Sequence, residues 1–90
     1  MKIEWDPKKA RSNLRKHKVS FEEAATALSD PMAATGGDPD HSVGECRYIT
    51  FGRSERGRFL VVAHTEQGET IRIISARLAS KGERRIYEEG

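Results

Sequence analysis

A single cysteine, Cys46, is all the thiol the chain has, so no internal disulfide staples the fold. The histidines His17, His41 and His64 have no ligand-like spacing to one another, which argues against a metal site. No stretch approaches ~20 apolar residues and no apolar segment follows the N-terminus. The expectation is therefore a cytoplasmic protein, with neither a membrane span nor a secretory leader. Proline is scarce and falls at boundaries: Pro7, Pro31 and Pro39. Acids are absent from Lys8 to Lys18, where Lys8, Lys9, Arg11, Arg15, Lys16 and Lys18 give a local charge of +6 against +2 for the whole chain. So uneven a distribution suits an anionic partner better than a membrane surface.

What remains is 90 residues, 36% of them hydrophobic, enough for one modest core in a single domain over 1–90. A chain of this size buries roughly 63% of its unfolded surface, which leaves little room for a deep cofactor pocket. Lys2 to Trp5 alternates as a short edge strand. Asp6-Pro7 opens a helix, an acidic N-cap followed by proline at the first helical position, and the helix should end near His17. Ala10 and Leu14 form its buried stripe, with Asn13 and His17 beside them. Ser20 and Glu23 read as a capping box for a second helix that turns Phe21, Ala24, Ala25 and Leu28 inward and stops before Asp30-Pro31. Residues 32–44 read as a loop with room for a short strand at its start.

Three strands follow, at about 45–53, 58–65 and 69–77, and a last short helix opens at a second capping box, Ser80 with Glu83. The result is an α+β domain with helices against a mainly antiparallel sheet. A Gln67-Gly68 turn pairs Glu66 with Glu69, and a turn ending at Gly57 pairs Arg53 with Arg58. One face then collects Ile49, Phe51, Leu60, Val62, Ile71 and Ile73 as the floor for the helices. The other carries Tyr48, Thr50, Val61, Arg72 and Ile74. A slip of one residue would exchange the faces.

The run Ile71-Arg-Ile-Ile-Ser-Ala-Arg77 carries two arginines on an apolar strand. Arginine is seldom buried unless its charge meets an anion. Either Arg72 and Arg77 find internal carboxylates, or they offer guanidinium groups to phosphate, and the basic balance of the chain favours phosphate.

Taken together, several residues resemble the BrnT toxins, the ribonuclease halves of a bacterial type II toxin–antitoxin pair. They are Trp5-Asp6-Pro7, Asn13, Lys16-His17, Val19, Phe21 with Glu23-Ala24, Asp30-Pro31, Glu45 with Arg47, Gly52, Gly57-Arg58, the Arg72 to Arg77 run, and Glu83-Arg84 with Tyr87. The resemblance implies a small RelE-like microbial RNase fold with two N-terminal helices and a short C-terminal one. It implies RNA cleavage that arrests translation and growth. It also implies a BrnA-like ribbon-helix-helix antitoxin, two toxins on an antitoxin dimer, with DNA touched only through the antitoxin. Members of that family commonly place a tyrosine where this chain has His64.

Metal-free RNA cleavage needs a base for the ribose 2′-hydroxyl, cations for the phosphorane charge, and an acid for the leaving 5′-oxygen. No metal or cofactor is expected. The catalytic candidates are Arg72, Arg77, Glu45, Arg47, His17 and His64, and the RNA-binding candidates are Lys16, Tyr48 and Tyr87. Each has a blander reading. The arginines also read as internal ion pairs, and Glu45 with Arg47 as an exposed pair of small energetic value. His17 suits a helix C-terminus, where the dipole favours a cation. Lys16 reads equally as a solvated lysine, and Tyr87 as packing for the last helix. Asn13 reads as a buried hydrogen-bonding device, and Trp5 and Phe21 as core. The Lys8–Lys18 run suits RNA or an acidic antitoxin segment. The alternative to an enzyme is a non-catalytic RNA- or antitoxin-binding module.

Overall fold

The structure, a computed structural model, describes residues 2–37 and 47–89, with Ile86 described by its backbone alone. The chain begins with β1 (Lys2–Trp5), α1 (Pro7–His17) and α2 (Phe21–Leu28). After β2 (Ala34–Gly37) come β3 (Arg47–Arg53), β4 (Phe59–Gln67), β5 (Thr70–Leu78) and α3 (Lys81–Glu89). The five strands form one sheet in the order β1-β5-β4-β3-β2. Among the described residues only the β1–β5 pair is parallel.

The helix ends form where the caps lie. Asp6 accepts the Lys8 N–H at 2.8 Å ahead of Pro7, and Ser20 Oγ accepts the Glu23 N–H at 3.0 Å. The Ser20 box is only half made, because the Glu23 carboxylate turns away from the helix end. It accepts from Ser54 Oγ at 2.7 Å and from Arg58 Nε at 2.9 Å, with Arg58 Nη2 also donating to it. This clamp ties the start of α2 to the β3–β4 turn, and the Arg58 guanidinium holds the Glu23 carboxyl below the usual carboxylate range. At Ser80 the box is reciprocal: Ser80 N–H donates to Glu83 Oε1 at 2.9 Å, and Glu83 N–H to Ser80 Oγ at 3.2 Å.

The core lies between α1 and α2 and one face of the sheet. Val19, Phe21, Ala24 and Ala27 meet Leu60, Val62, Ile73 and Ala76, with Trp5 edge-on to Phe21 at 6.1 Å. Leu14 departs from the expected stripe and stands 49% exposed, because the buried side of α1 centres on Ala10, Asn13 and His17.

Both hairpin registers differ from expectation. Arg53 pairs with Phe59, because Gly57 adopts φ 82° and makes that connection one residue longer. The slip turns Tyr48, Thr50 and Gly52 toward the helices and Ile49 and Phe51 away from them. At Gly52 α2 comes so close that an added Cβ would stand 2.4 Å from the Ala27 carbonyl oxygen. Gln67 pairs with Thr70, so the two turn residues are Gly68 and Glu69, with the glycine at φ 61° in first place. A bulge follows, since His64 pairs with Ile73 but Ala63 with Ser75, leaving Ile74 as the extra residue.

β1 accompanies β5 only as far as Ile73. Beyond that point Asn13 takes over the ladder. Its Oδ1 accepts the Ala76 N–H at 3.1 Å, and its Nδ2 donates to Ala76 O at 2.8 Å and Val19 O at 2.9 Å. Asn13→Ala should leave these buried backbone groups unpaired and cost about 3 kcal/mol. Thermal melts should show a fall of roughly 12–24 °C; a change below a few degrees would contradict this role.

Candidate functional site

The face of the sheet opposite α1 and α2 is where the arginines gather. In register across four strands lie Arg47, Thr65, Arg72 and Glu4. Two residues further along is the row Ile49, Ala63 and Ser75, then Phe51, Val61 and Arg77. Arg77 stands five positions after Arg72, and strict alternation would put them on opposite faces. The bulge at Ile74 shifts the phase and brings them to the same one.

Arg47 and Arg72 flank Thr65 two strand spacings apart, ~10 Å between Cα atoms, within the combined reach of two long side chains. Arg77 lies ~13 Å further along the strands. Between them Ile49, Val61 and Ala63 form an apolar floor. Arg72 is half exposed, and its Nη1 stands 3.8 Å from Glu4 Oε1, a loose pair. Glu4 was not singled out by sequence reasoning; its position opposite Arg72 depends on the parallel β1–β5 pairing, which alternation within Lys2–Trp5 does not reveal.

Arg77 is held more firmly. Its Nη1 and Nη2 donate to the two oxygens of Glu83 at 2.7 Å each, the fork geometry a guanidinium offers to phosphate. Arg77 and the Ser80 N–H hold the Glu83 carboxyl at about 2. α3 also covers this end of the face through Tyr87, whose ring meets Phe59 at 5.1 Å and whose hydroxyl donates to Asp30 Oδ2 at 2.7 Å. Arg84 also lies over the Phe59 ring, 4.6 Å from its centroid.

The remaining candidates are not brought to the arginines. Tyr48 and His64 lie on the helix-covered face, their rings stacked at 5.9 Å. His64 is 1% exposed and Nε2 shares a 2.7 Å hydrogen bond with Thr50 Oγ1, itself 2.7 Å from Thr35 Oγ1. Burial pushes the His64 imidazole down, with Glu66 opposing in part, so it is a neutral member of a buried polar chain. His17 ends α1 on the helix layer, with Lys16 exposed beside it. Tyr87 is engaged in docking α3. Glu45 lies outside the described residues.

A sheet sealed by helices on one side and presenting arginines on the other defines a small α+β protein with a cationic sheet face. The family model for the ribonuclease toxin BrnT of type II toxin–antitoxin systems matches residues 5–83, and the chain belongs to that family. The crystal structure of the Brucella abortus ribonuclease toxin BrnT is similar, with a TM-score of 0.70 and 27% sequence identity. The likeness covers 90% of this chain and 99% of that one. No curated protein matches. Among the described residues no helix is long and apolar enough to cross a membrane.

The depressed Glu83 carboxyl makes the Arg77–Glu83 tether pH-dependent. Its contribution is fully present above the unfolded value of 4.5 and is lost as pH falls toward about 2. With the Arg77 side chain 46% exposed, solvent screening limits the effect to about 1 kcal/mol. Melts from pH 7 to pH 2 should therefore show a steeper acid loss for the parent than for Glu83→Gln. Parallel profiles would mean that the pair contributes no stability.

Proposed function

We propose that this toxin is a metal-independent endoribonuclease whose arginine-bearing sheet face binds and cleaves RNA. The observation that carries the reading is the convergence of Arg47 and Arg72 about Thr65 on one open face, with Arg77 at its far end. On this reading the ribose 2′-oxygen attacks the neighbouring phosphorus while the bond to the 5′-oxygen breaks. The leaving 5′-oxygen takes a proton from water, and the products are a 2′,3′-cyclic phosphate and a free 5′-hydroxyl. Arg47 and Arg72 stabilise the charge that grows on the phosphorane oxygens, the task for which a planar guanidinium fork is suited. Arg77 exchanges the Glu83 carboxylate for a neighbouring phosphate, and bases rest on the part-exposed Ile49 and Ala63. The Glu4 carboxylate, 3.8 Å from Arg72, accepts the 2′-hydroxyl proton.

The family supplies the setting. As a type II toxin the protein pairs with an antitoxin and acts on RNA. We extend this to a BrnA-like ribbon-helix-helix antitoxin, two toxins on an antitoxin dimer, and cytoplasmic action by residues 1–90 as one toxin domain. DNA is reached only through the antitoxin.

Arg72→Ala should lower RNA cleavage by ~10²- to 10³-fold, the usual cost of losing one preorganised charge donor. Its melting temperature should stay within a few degrees of the parent, because a loose exposed pair contributes little. Cleavage by the free toxin should persist in a chelator. Activity lost in EDTA and restored by a divalent ion would remove the metal-independent mechanism, and a non-toxic Arg72→Ala that also unfolds would make Arg72 a structural residue.

A further inference from the structure

Helix α1 departs from the rules of helix stability in three ways, always in favour of positive charge. Its first turn holds Lys8 and Lys9 and no acid, against the sense of the helix dipole. Lys8, Arg11, Arg15 and Lys18 recur at spacings of three and four residues and so share one ridge, where like charges repel. Lys18 caps the helix at φ 61°, the sole non-glycine residue with positive φ among those described, at a place where glycine is favoured. All four are exposed, and among the described residues no carboxylate lies in ion-pair range of them. The ridge runs for about 15 Å at 1.5 Å per residue. Three stability rules broken toward one sign call for a ligand that compensates them.

The chemistry of the ridge favours RNA over a protein partner. Lysine is depleted from protein interfaces, whose cores rely on aromatic and methionine anchors. Leu14 is the one large apolar side chain exposed on α1. A file of cations with no apolar seam suits a file of phosphates. We propose that Lys8, Arg11, Arg15 and Lys18 form a second RNA-binding surface, separate from the arginine face and on the other side of the sheet from it. The inference rests on the ribonuclease reading above and extends it to how longer substrates are held. The molecule measures 31 × 27 × 24 Å. A trinucleotide, ~10 Å long when stacked at ~3.4 Å per nucleotide, cannot touch both sides, whereas a strand of about 20 nucleotides can.

The test is a purified toxin carrying Lys8→Gln, Arg11→Gln, Arg15→Gln and Lys18→Gly, beside Lys18→Gly alone. For a 20-nucleotide RNA blocked by 2′-O-methyl groups, the slope of log K against log salt should fall by about 2.8 for four contacts, and by about 0.7 for the single variant. Affinity at 0.1 M salt should drop ~10²- to 10³-fold in the quadruple variant. Both variants should melt a few degrees higher than the parent, about 2–8 °C, because each removes a destabilising feature. Trinucleotide cleavage should be unchanged. Higher melting with an unaltered slope would overturn the proposal and leave α1 a solvated face. Loss of antitoxin binding with RNA binding intact would overturn it in favour of a protein partner. A parent that cuts neither the trinucleotide nor an unblocked 20-nucleotide RNA, yet whose slope on the blocked RNA still falls in the variants, would sink the ribonuclease reading while upholding the surface.

Discussion

The site depends on one amide. β5 carries Arg72 and Arg77, but β1 covers its outer edge only through Ile73 before the chain turns into α1. A buried strand whose N–H and C=O groups point at nothing loses the full desolvation cost of each. Asn13 supplies both partners to Ala76 and a third bond to Val19. It thus continues the sheet with a side chain where the backbone has left. The same bonds fasten α1 and the α1–α2 connection to β5, so the helix layer and the arginine strand are positioned by a single residue.

That anchoring also makes the bulge tolerable. An extra residue at Ile74 disrupts the ladder with β4, just past the point where β1 stops. Asn13 satisfies the backbone two residues beyond, and Ile73 and Ala76 both stay buried in the core on either side of the shift. The consequence appears on the opposite surface, where Arg72 and Arg77 share a face that alternation would deny them. Packing on one side of β5 therefore sets the chemistry of the other.

How much of this was legible depended on whether the signal was local. The helix ends were readable because Asp6-Pro7, Ser20 and Ser80 act within three residues of themselves. Asn13 could be recognised as a buried polar device, though not its partner 63 residues away. The faces of β3 were misread for one reason: Gly57 adds a residue to a turn, and a period of two converts one residue into an exchange of faces. That error placed Tyr48 beside Arg72 and Ile49 under the helices, whereas the structure reverses both. His64 could not be sorted from sequence either, since a histidine in a strand reads alike as a proton carrier or as the filling of a buried polar chain.

The charges divide by the company they keep. Arg58 and Glu23 form a half-buried clamp with Ser54 and the Lys18 carbonyl, a fully satisfied group whose work is to hold α2 against the β3–β4 turn. On the open face Arg72 meets Glu4 at only 3.8 Å, and Arg77 meets a carboxylate in the geometry phosphate would take. Desolvating a guanidinium is costly unless an anion replaces its water. A scaffold arginine has that anion built in, while a half-exposed one with a loose partner retains the capacity to exchange it. By that measure Arg58 belongs to the fold, Arg72 is available to a ligand, and Arg77 stands between them, tied to the sheet through α3 by a contact that an incoming phosphate can imitate.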